Sequence, residues 1–170
     1  MYGPTGAKHV ADMLSANGVL MSLDVRGKGI DGEGATKLSA AVLGNTKIET
    51  FNQIPVKEMR ANSLTELDLK DKSIGVEGGM VVAGLVSAMA SITSINLSSN
   101  NLTGGTFVNE SKLVPSSDYK SGTKVTHEGQ ELTVLAEKDS DGDVLLGSLD
   151  GIIALADSFR VSVGRRLYVL

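Results

Sequence analysis

The chain has 170 residues, of which 41% are hydrophobic and 4% aromatic, and carries a net charge of −4 at neutral pH. This length and composition predict one domain with an aliphatic core, and the lack of cysteine excludes disulfides and thiolate metal sites. The lysines are dispersed among acidic residues, no leader-like segment opens the chain, and no apolar stretch is long enough to span a bilayer, so we expect a soluble intracellular protein that binds neither nucleic acid nor membranes.

The first segment, residues 5–17, has the pattern of an amphipathic helix. Its apolar residues lie at helical spacing, and Asn17-Gly18 is a typical C-terminal stop. We interpret this segment as the helix half of a repeated unit whose strand is absent.

A repeated pattern follows. Residues 20–25, 64–69 and 92–97 all read apolar, x, x, apolar, polar, apolar, and residues 48–53 form a weaker copy. Leu23 and Phe51 are 28 residues apart, as are Leu67 and Ile95. The stretches 33–43 and 77–89 then carry apolar residues at helical spacing, so the unit is strand, turn and helix. Such a unit buries its apolar edge only by stacking on its neighbours.

These segments resemble the leucine-rich repeat family, specifically its ribonuclease-inhibitor-like class. The resemblance covers residues 7–103 and implies an α/β solenoid, with short parallel strands on the concave side and helices on the convex side, in about 3.5 units over residues 1–103. The asparagine that normally follows each strand in this family is present as Asn100 but replaced by Lys28 and Lys72. One unit is shortened after residue 51, where a loop or a single helical turn must close it.

The resemblance also implies a function, because the exposed strand positions of this family bind partner proteins. We therefore expect a non-catalytic protein-interaction module, or scaffold, without a cofactor. The concave positions are Ser22, Asp24, Arg26, Thr50, Asn52, Glu66, Asp68, Lys70, Ser94, Asn96 and Ser98. This surface is polar and acidic and lacks the aromatic and methionine side chains that anchor tight interfaces, so it suits a basic partner or a weak contact.

A different function is suggested by the glycines of the first turn. Gly27, Gly29 and Gly32 have the Gly-x-Gly-x-x-Gly spacing of a dinucleotide-binding site, between a predicted strand and a predicted helix. However, Leu23-Asp24-Val25-Arg26 alternates between apolar and polar residues, whereas a nucleotide-binding strand is buried on both faces. A nucleotide-binding enzyme is therefore only a remote alternative. The two histidines, His9 and His127, belong to no catalytic motif.

Residues 104–147 interrupt the repeats. The segments 123–126 and 132–135 are rich in β-branched and aliphatic residues, and a short glycine-containing connection joins them, so they predict an inserted β-hairpin. Residues 109–122 are polar and predict a surface loop.

An acidic segment follows the hairpin. Glu137, Asp139, Asp141 and Asp143 occupy alternate positions, as in a calcium-binding loop, with Gly142 at the turn. Ser148 stands where such a loop needs a bidentate glutamate, and the preceding segment reads as a strand instead of a helix. A polar turn is the other interpretation of this segment.

Residues 148–170 predict a partial C-terminal repeat, a helix over 149–159 and then a strand at 167–170. Arg165, Arg166, Leu167 and Tyr168 combine basic and apolar side chains near the end, so they are a second predicted partner-binding segment, although packing as a last strand explains them too. Because both ends are incomplete repeats, a homo-oligomer or hetero-oligomer is predicted as well, with the chain as a structural subunit of a larger assembly.

Overall fold

The computed structural model describes residues 4–113, 119–127, 130–136, 138–160 and 168–169. Its elements are, in chain order, α1 (Pro4–Ala16), β1 (Ser22–Leu23), α2 (Gly32–Gly44), β2 (Thr50–Phe51), α3 (Val56–Arg60), β3 (Glu66–Asp68), α4 (Gly75–Val86), β4 (Ser94–Asn96), β5 (Thr106–Asn109), a 3₁₀ turn (Glu110–Lys112), β6 (Lys124–His127), β7 (Gln130–Ala136), β8 (Asp143–Gly147), α5 (Asp150–Arg160) and β9 (Tyr168–Val169).

Four of the helices pack side by side, α1 against α2, α2 against α4 and α4 against α5. The helices pack because each has an apolar face to bury. In α2 this face includes Ala35, Leu38 and Val42, all of them buried. Close approach to α4 depends on Gly84, where a Cβ atom would lie 2.6 Å from Cδ1 of Leu43.

Two small parallel sheets lie beside these helices. Strands β1 and β2 pair with Leu23 opposite Phe51, and β3 and β4 pair with Leu67 opposite Ile95. The 28-residue spacing of the sequence pattern is therefore the pairing register in both sheets. Strand β9 adds to the second sheet, parallel to β4, with its Tyr168 opposite Ser94.

The predicted leucine-rich-repeat solenoid is wrong. The described residues form small separate sheets, ordered β1-β2 and β3-β4-β9, and a curled antiparallel sheet, instead of one continuous run of parallel strands. The break falls after β2, where the Phe51 N–H donates to the Ile54 carbonyl at 3.1 Å and the Ile54 N–H donates back at 2.7 Å. The chain closes on itself there, with Asn52 and Gln53 at positive φ, and β2 does not pair with β3.

Residues 104–147 also differ from the prediction of a lone hairpin beside a loop. Strands β6 and β7 do pair antiparallel, but β8 pairs with β7 and β5 pairs with β8. The result is a four-stranded antiparallel sheet in the order β5-β8-β7-β6, curled into a half-barrel. The last residue of β5, Asn109, and the 3₁₀ turn occupy the start of the segment predicted as a surface loop.

Two hydrophobic clusters fill the described part of the chain. The first joins the helices to the parallel strands and includes Leu38, Phe51, Ile74 and Ile95, all fully buried. The second lies under the antiparallel sheet, and its buried members are Val108, Leu113, Val125, Leu132, Val134, Val144 and Leu146. The described residues therefore form a large core and a small one.

Candidate functional site

The second parallel sheet presents polar side chains to solvent. In β3, Glu66 and Asp68 are exposed on either side of the buried Leu67. Ser94 and Asn96 of β4 lie directly opposite them and are half-buried. After the strands, Lys70 is exposed and Ser98 half-buried, so the structure brings these six predicted residues together on one surface.

The first parallel sheet contributes a smaller group. Ser22 and Asp24 are exposed, while Arg26 and Thr50 are half-buried. Arg26 binds the Asp24 carboxylate through Nε, 2.9 Å from Oδ1, and Nη2, 2.7 Å from Oδ2. Its Nη1 also donates to the Lys72 carbonyl at 3.1 Å, which links this sheet to the second one. The hydrogen bond from Arg26 lowers the pKa of Asp24, so the pair is ionised at neutral pH.

We define the strand face as the exposed and half-buried members of these two groups: Ser22, Asp24, Arg26, Thr50, Glu66, Asp68, Lys70, Ser94, Asn96 and Ser98.

Asn52 is not part of this surface, although the sequence predicted it there. It is fully buried. Its Oδ1 accepts from the Val25 N–H at 2.9 Å, and its Nδ2 donates to the Ile74 carbonyl at 3.1 Å and to Oε1 of Glu77 at 3.0 Å. Because β2 closes on its own turn, the side chain at this position points into the protein, where it supplies hydrogen bonds that the two-residue strand lacks.

Asn100 has a similar role after β4. Its Nδ2 donates to the carbonyls of Leu69 at 2.7 Å and Leu97 at 3.0 Å, and its Oδ1 accepts from the Ile74 N–H at 3.2 Å. The family resemblance implied such an asparagine at this position. Both buried amides connect successive turns, and both reach the residue that precedes α4.

A cleft of about 320 Å³ lies where three turns meet at the ends of the parallel strands. Its lining residues are Gly27, Lys28, Gly29, Ile30, Asp31, Ser73, Gly75, Val76, Glu77, Asn100, Asn101, Gly104 and Gly105. Two glycines of the predicted nucleotide motif belong to this wall, and Gly27, Gly29 and Gly32 all have positive φ. These glycines lie in a turn that follows a strand of only two residues, one exposed and one half-buried, whereas a dinucleotide-binding fold has a buried strand at this point.

Glu77 is the residue of this cleft that sequence reasoning missed. Its side chain lies in the first turn of α4 and is only 3% exposed. Burial raises the pKa of Glu77 to about 7, with a further contribution from the nearby Asp31, although the hydrogen bond from Asn52 opposes the shift. The sequence did contain a signal for this site, because Glu77 is the single charged residue in an otherwise apolar and glycine-rich helix.

The acidic segment between β7 and β8 forms a hydrogen-bonded turn. Oδ1 of Asp139 accepts from the N–H groups of Asp141 at 3.0 Å and Asp143 at 2.9 Å. Nδ2 of Asn109 donates to Oδ1 of Asp143 at 3.0 Å and to the Asp141 carbonyl at 3.2 Å. Glu137 lies outside the described residues. Across the part of the chain that the structure covers, no group of three or more acidic, histidine or cysteine side chains is placed to hold a metal ion.

The predicted C-terminal binding segment is only partly within the structure. Arg165, Arg166 and Leu167 lie outside the described residues. Tyr168 begins β9, whose backbone pairs with β4. The described helices include none that is long and apolar enough to cross a bilayer.

The chain matches no protein-family model, no curated protein and no solved structure.

Proposed function

We propose that this protein is a non-catalytic binding module that captures a basic segment of a partner protein on its strand face. The observation that carries the proposal is the pair Glu66 and Asp68. Both carboxylates are exposed on the same short strand, and neither forms an ion pair with the residues that the structure describes. They can therefore meet lysine or arginine side chains without breaking an ion pair of the described structure. Oδ1 of Asp68 accepts from the Lys70 N–H at 3.1 Å, but a carboxylate has further acceptor sites.

The neighbouring side chains support a polar and hydrated contact. Ser94 and Asn96 add hydroxyl and amide groups beside the two carboxylates. No aromatic or methionine side chain belongs to the strand face, so the anchors that usually dominate tight interfaces are missing from it. We expect moderate affinity and a strong dependence on ionic strength, because exposed charges are screened by salt.

The test uses a synthetic peptide of about ten residues rich in lysine and arginine, labelled for fluorescence anisotropy, and a neutral peptide of equal length. The wild-type protein is expected to bind the basic peptide with a Kd of about 100 μM in 50 mM salt and several-fold more weakly in 300 mM salt. The double variant Glu66→Lys, Asp68→Lys is expected to weaken binding at least about tenfold.

The matched control is the double variant Glu33→Lys, Glu58→Lys, which makes the same change in net charge at exposed helical positions that do not belong to the strand face. Its binding is expected to weaken by less than about threefold. If the control loses as much affinity as the strand-face variant, net charge explains the binding and the proposed surface is wrong.

A second candidate function, a structural subunit of a larger assembly, is favoured by a specific feature of the first sheet. Strand β1 pairs only with β2 among the described strands. Val19 and Met21 beside it are 82% and 53% exposed. An open strand edge with apolar side chains is a site for pairing with another chain. Light scattering coupled to size exclusion tests this candidate: a stable oligomer supports it, and a monomer of 17.7 kDa at 100 μM contradicts self-assembly.

A further inference from the structure

The gap between the two parallel sheets is bridged by buried side chains. Strand β2 ends in its own turn, so no backbone ladder connects it to β3. Asn52, at the end of β2, instead reaches the Ile74 carbonyl and Glu77 at the start of α4. The same amide holds the Val25 N–H after β1. One side chain therefore connects three segments of the chain across the break.

Glu77 completes this bridge from the other side. Its carboxyl group folds back over Gly75, where an added Cβ atom would lie 2.7 Å from Oε2. The only side chain that donates a hydrogen bond to Glu77 in the described structure is the neutral Asn52. A buried carboxylate without a paired cation is costly, and the neutral acid is favoured at such a position.

The charged residues that line the cleft beside Glu77 include both signs. The turn before α2 brings Asp31 and Lys28 to the wall of the same cleft, one of each sign. The turn after β2 contributes the uncharged Asn52, and the turn after β4 contributes Asn100 and Asn101. From α5, Gly151 packs on the backbone of Val76, and the adjacent Asp150 is exposed.

We propose that Asn52 and Glu77 form a proton-operated latch between the two parallel sheets. When Glu77 carries a proton, the contact stays dry and the sheets are held together. When Glu77 ionises, its carboxylate draws water through the adjoining cleft, and the turns that meet there separate. The latch is a property of this chain alone and does not depend on the proposed partner.

The direction of the pH effect follows from the pKa of Glu77. Burial raises it from 4.5 to about 7 in the folded protein, so the folded state binds this proton more tightly than the unfolded state. The stabilising effect is complete below about pH 4.5 and is lost as the pH rises through 7. The corresponding unfolding equilibrium constant is expected to increase on the order of 100-fold between pH 4 and pH 8 through this group.

The first experiment compares wild type with Glu77→Gln, which keeps the shape of the side chain and stays neutral at every pH. Urea unfolding is measured from pH 4 to pH 8, together with the hydrogen-exchange protection factor of the Val25 amide, which Asn52 holds. In wild type the unfolding equilibrium constant is expected to rise, and the Val25 protection factor to fall, by one to two orders of magnitude as the pH rises. In Glu77→Gln this part of the pH dependence is expected to disappear.

The matched control is Glu33→Gln. Glu33 lies in the first turn of α2, as Glu77 lies in the first turn of α4. Unlike Glu77, it is exposed and forms an ion pair with Lys37. Its replacement is expected to leave the pH dependence of Val25 protection unchanged. If Glu77→Gln retains the wild-type pH dependence, the latch is wrong.

A second measurement uses the wild-type protein, so it does not require any variant to fold. Carbon-detected NMR of the wild-type glutamate carboxyl groups follows each titration directly. A midpoint for Glu77 at least one pH unit above the ordinary glutamate value of 4.5, accompanied by loss of Val25 protection over the same range, supports the latch. A Glu77 midpoint in the ordinary range of exposed glutamates, or a titration with no change at Val25, overturns it.

Discussion

The N-terminal region (residues 4–103) and the antiparallel sheet (residues 106–147) hold their strands together in different ways. In the antiparallel sheet the strands are four to seven residues long and pair along their length. In the N-terminal region the strands have two or three residues. Two or three residues supply few ladder hydrogen bonds, so buried side chains must satisfy the backbone of the adjoining turns.

Polar side chains of several kinds perform this task in the N-terminal region. Asn52 and Asn100 connect turns, Asn45 donates to the carbonyls of Leu14 and Asn17, and Arg60 donates to carbonyls at the end of α2. The parallel region therefore depends on individual polar side chains, whereas the antiparallel sheet depends on its ladder and its small core. Four substitutions test this difference, beginning with the largest expected effect.

Asn52→Ala is expected to lower the free energy of unfolding by about 4 kcal/mol. The substitution leaves the buried Val25 N–H and Ile74 carbonyl without their partners, and each such group costs about 1–3 kcal/mol. Urea unfolding followed by circular dichroism measures the loss. Asn96→Ala is the control, because the Asn96 side chain accepts only from the nearby Ser98 among the described residues, and its expected cost is about 1 kcal/mol or less. Equal costs would show that the buried amide has no special role.

Leu146→Ala is expected to destabilise the antiparallel sheet by about 3 kcal/mol, because it opens a cavity in the small core, where Leu146 is fully buried. Hydrogen exchange measured by NMR is expected to show this loss in β7 and β8. Protection in α2 is expected to change by less than about 1 kcal/mol. Leu38→Ala, in the large core, is expected to lower protection in α2 and to leave protection in β7 and β8 nearly unchanged. A uniform loss throughout the molecule would mean that the two regions unfold as one unit.

Gly75→Ala is expected to cost about 2 kcal/mol. Gly75 has φ of +71° and would place a Cβ atom 2.7 Å from Glu77 Oε2, so backbone strain and displacement of the carboxyl group both contribute. Gly27→Ala separates the two effects, because Gly27 has the same φ with nothing near the added atom. Its expected cost in thermal unfolding is about 1 kcal/mol. Equal values for the two variants would mean that the Glu77 contact adds nothing.

Glu66→Lys is expected to change stability by less than about 0.5 kcal/mol, since the side chain is exposed and makes no ion pair in the described structure. The same thermal unfolding measurement checks it. A cost above 1 kcal/mol would show that the strand face maintains the fold, and the side chain would then be less available to a partner.

The sequence pattern predicts the local pairings of this molecule well and their assembly poorly. Leu23 with Phe51 and Leu67 with Ile95 are paired as the 28-residue spacing indicates. What the pattern does not reveal is the reciprocal hydrogen bonding of Phe51 and Ile54. That closure depends on positive φ at Asn52 and Gln53, which those residue types permit but do not require. The prediction of a continuous solenoid therefore fails at a single turn.

Strands β5 and β8 were missed for a related reason. Thr106–Asn109 and Asp143–Gly147 contain only two and three consecutive apolar residues between glycine and polar residues, too few to predict a strand from either segment alone. Their pairing with each other, Val108 opposite Val144, is a long-range property that neither segment encodes locally. The buried environment of Glu77 is similarly tertiary, because segments from β2 and the turn before α2 create it.

The pairing of β4 with β9 has a consequence for the order of folding. The other parallel pairs join residues 28 positions apart, as in Ser22 with Thr50 and Glu66 with Ser94, whereas Ser94 and Tyr168 are 74 positions apart. Closing so long a loop carries a larger entropic cost, and distant contacts form slowly. Prior folding of the antiparallel sheet and α5 shortens the effective distance between these strands. The last strand is therefore expected to dock after the rest of the chain is in place, and to be the first element released when the protein unfolds.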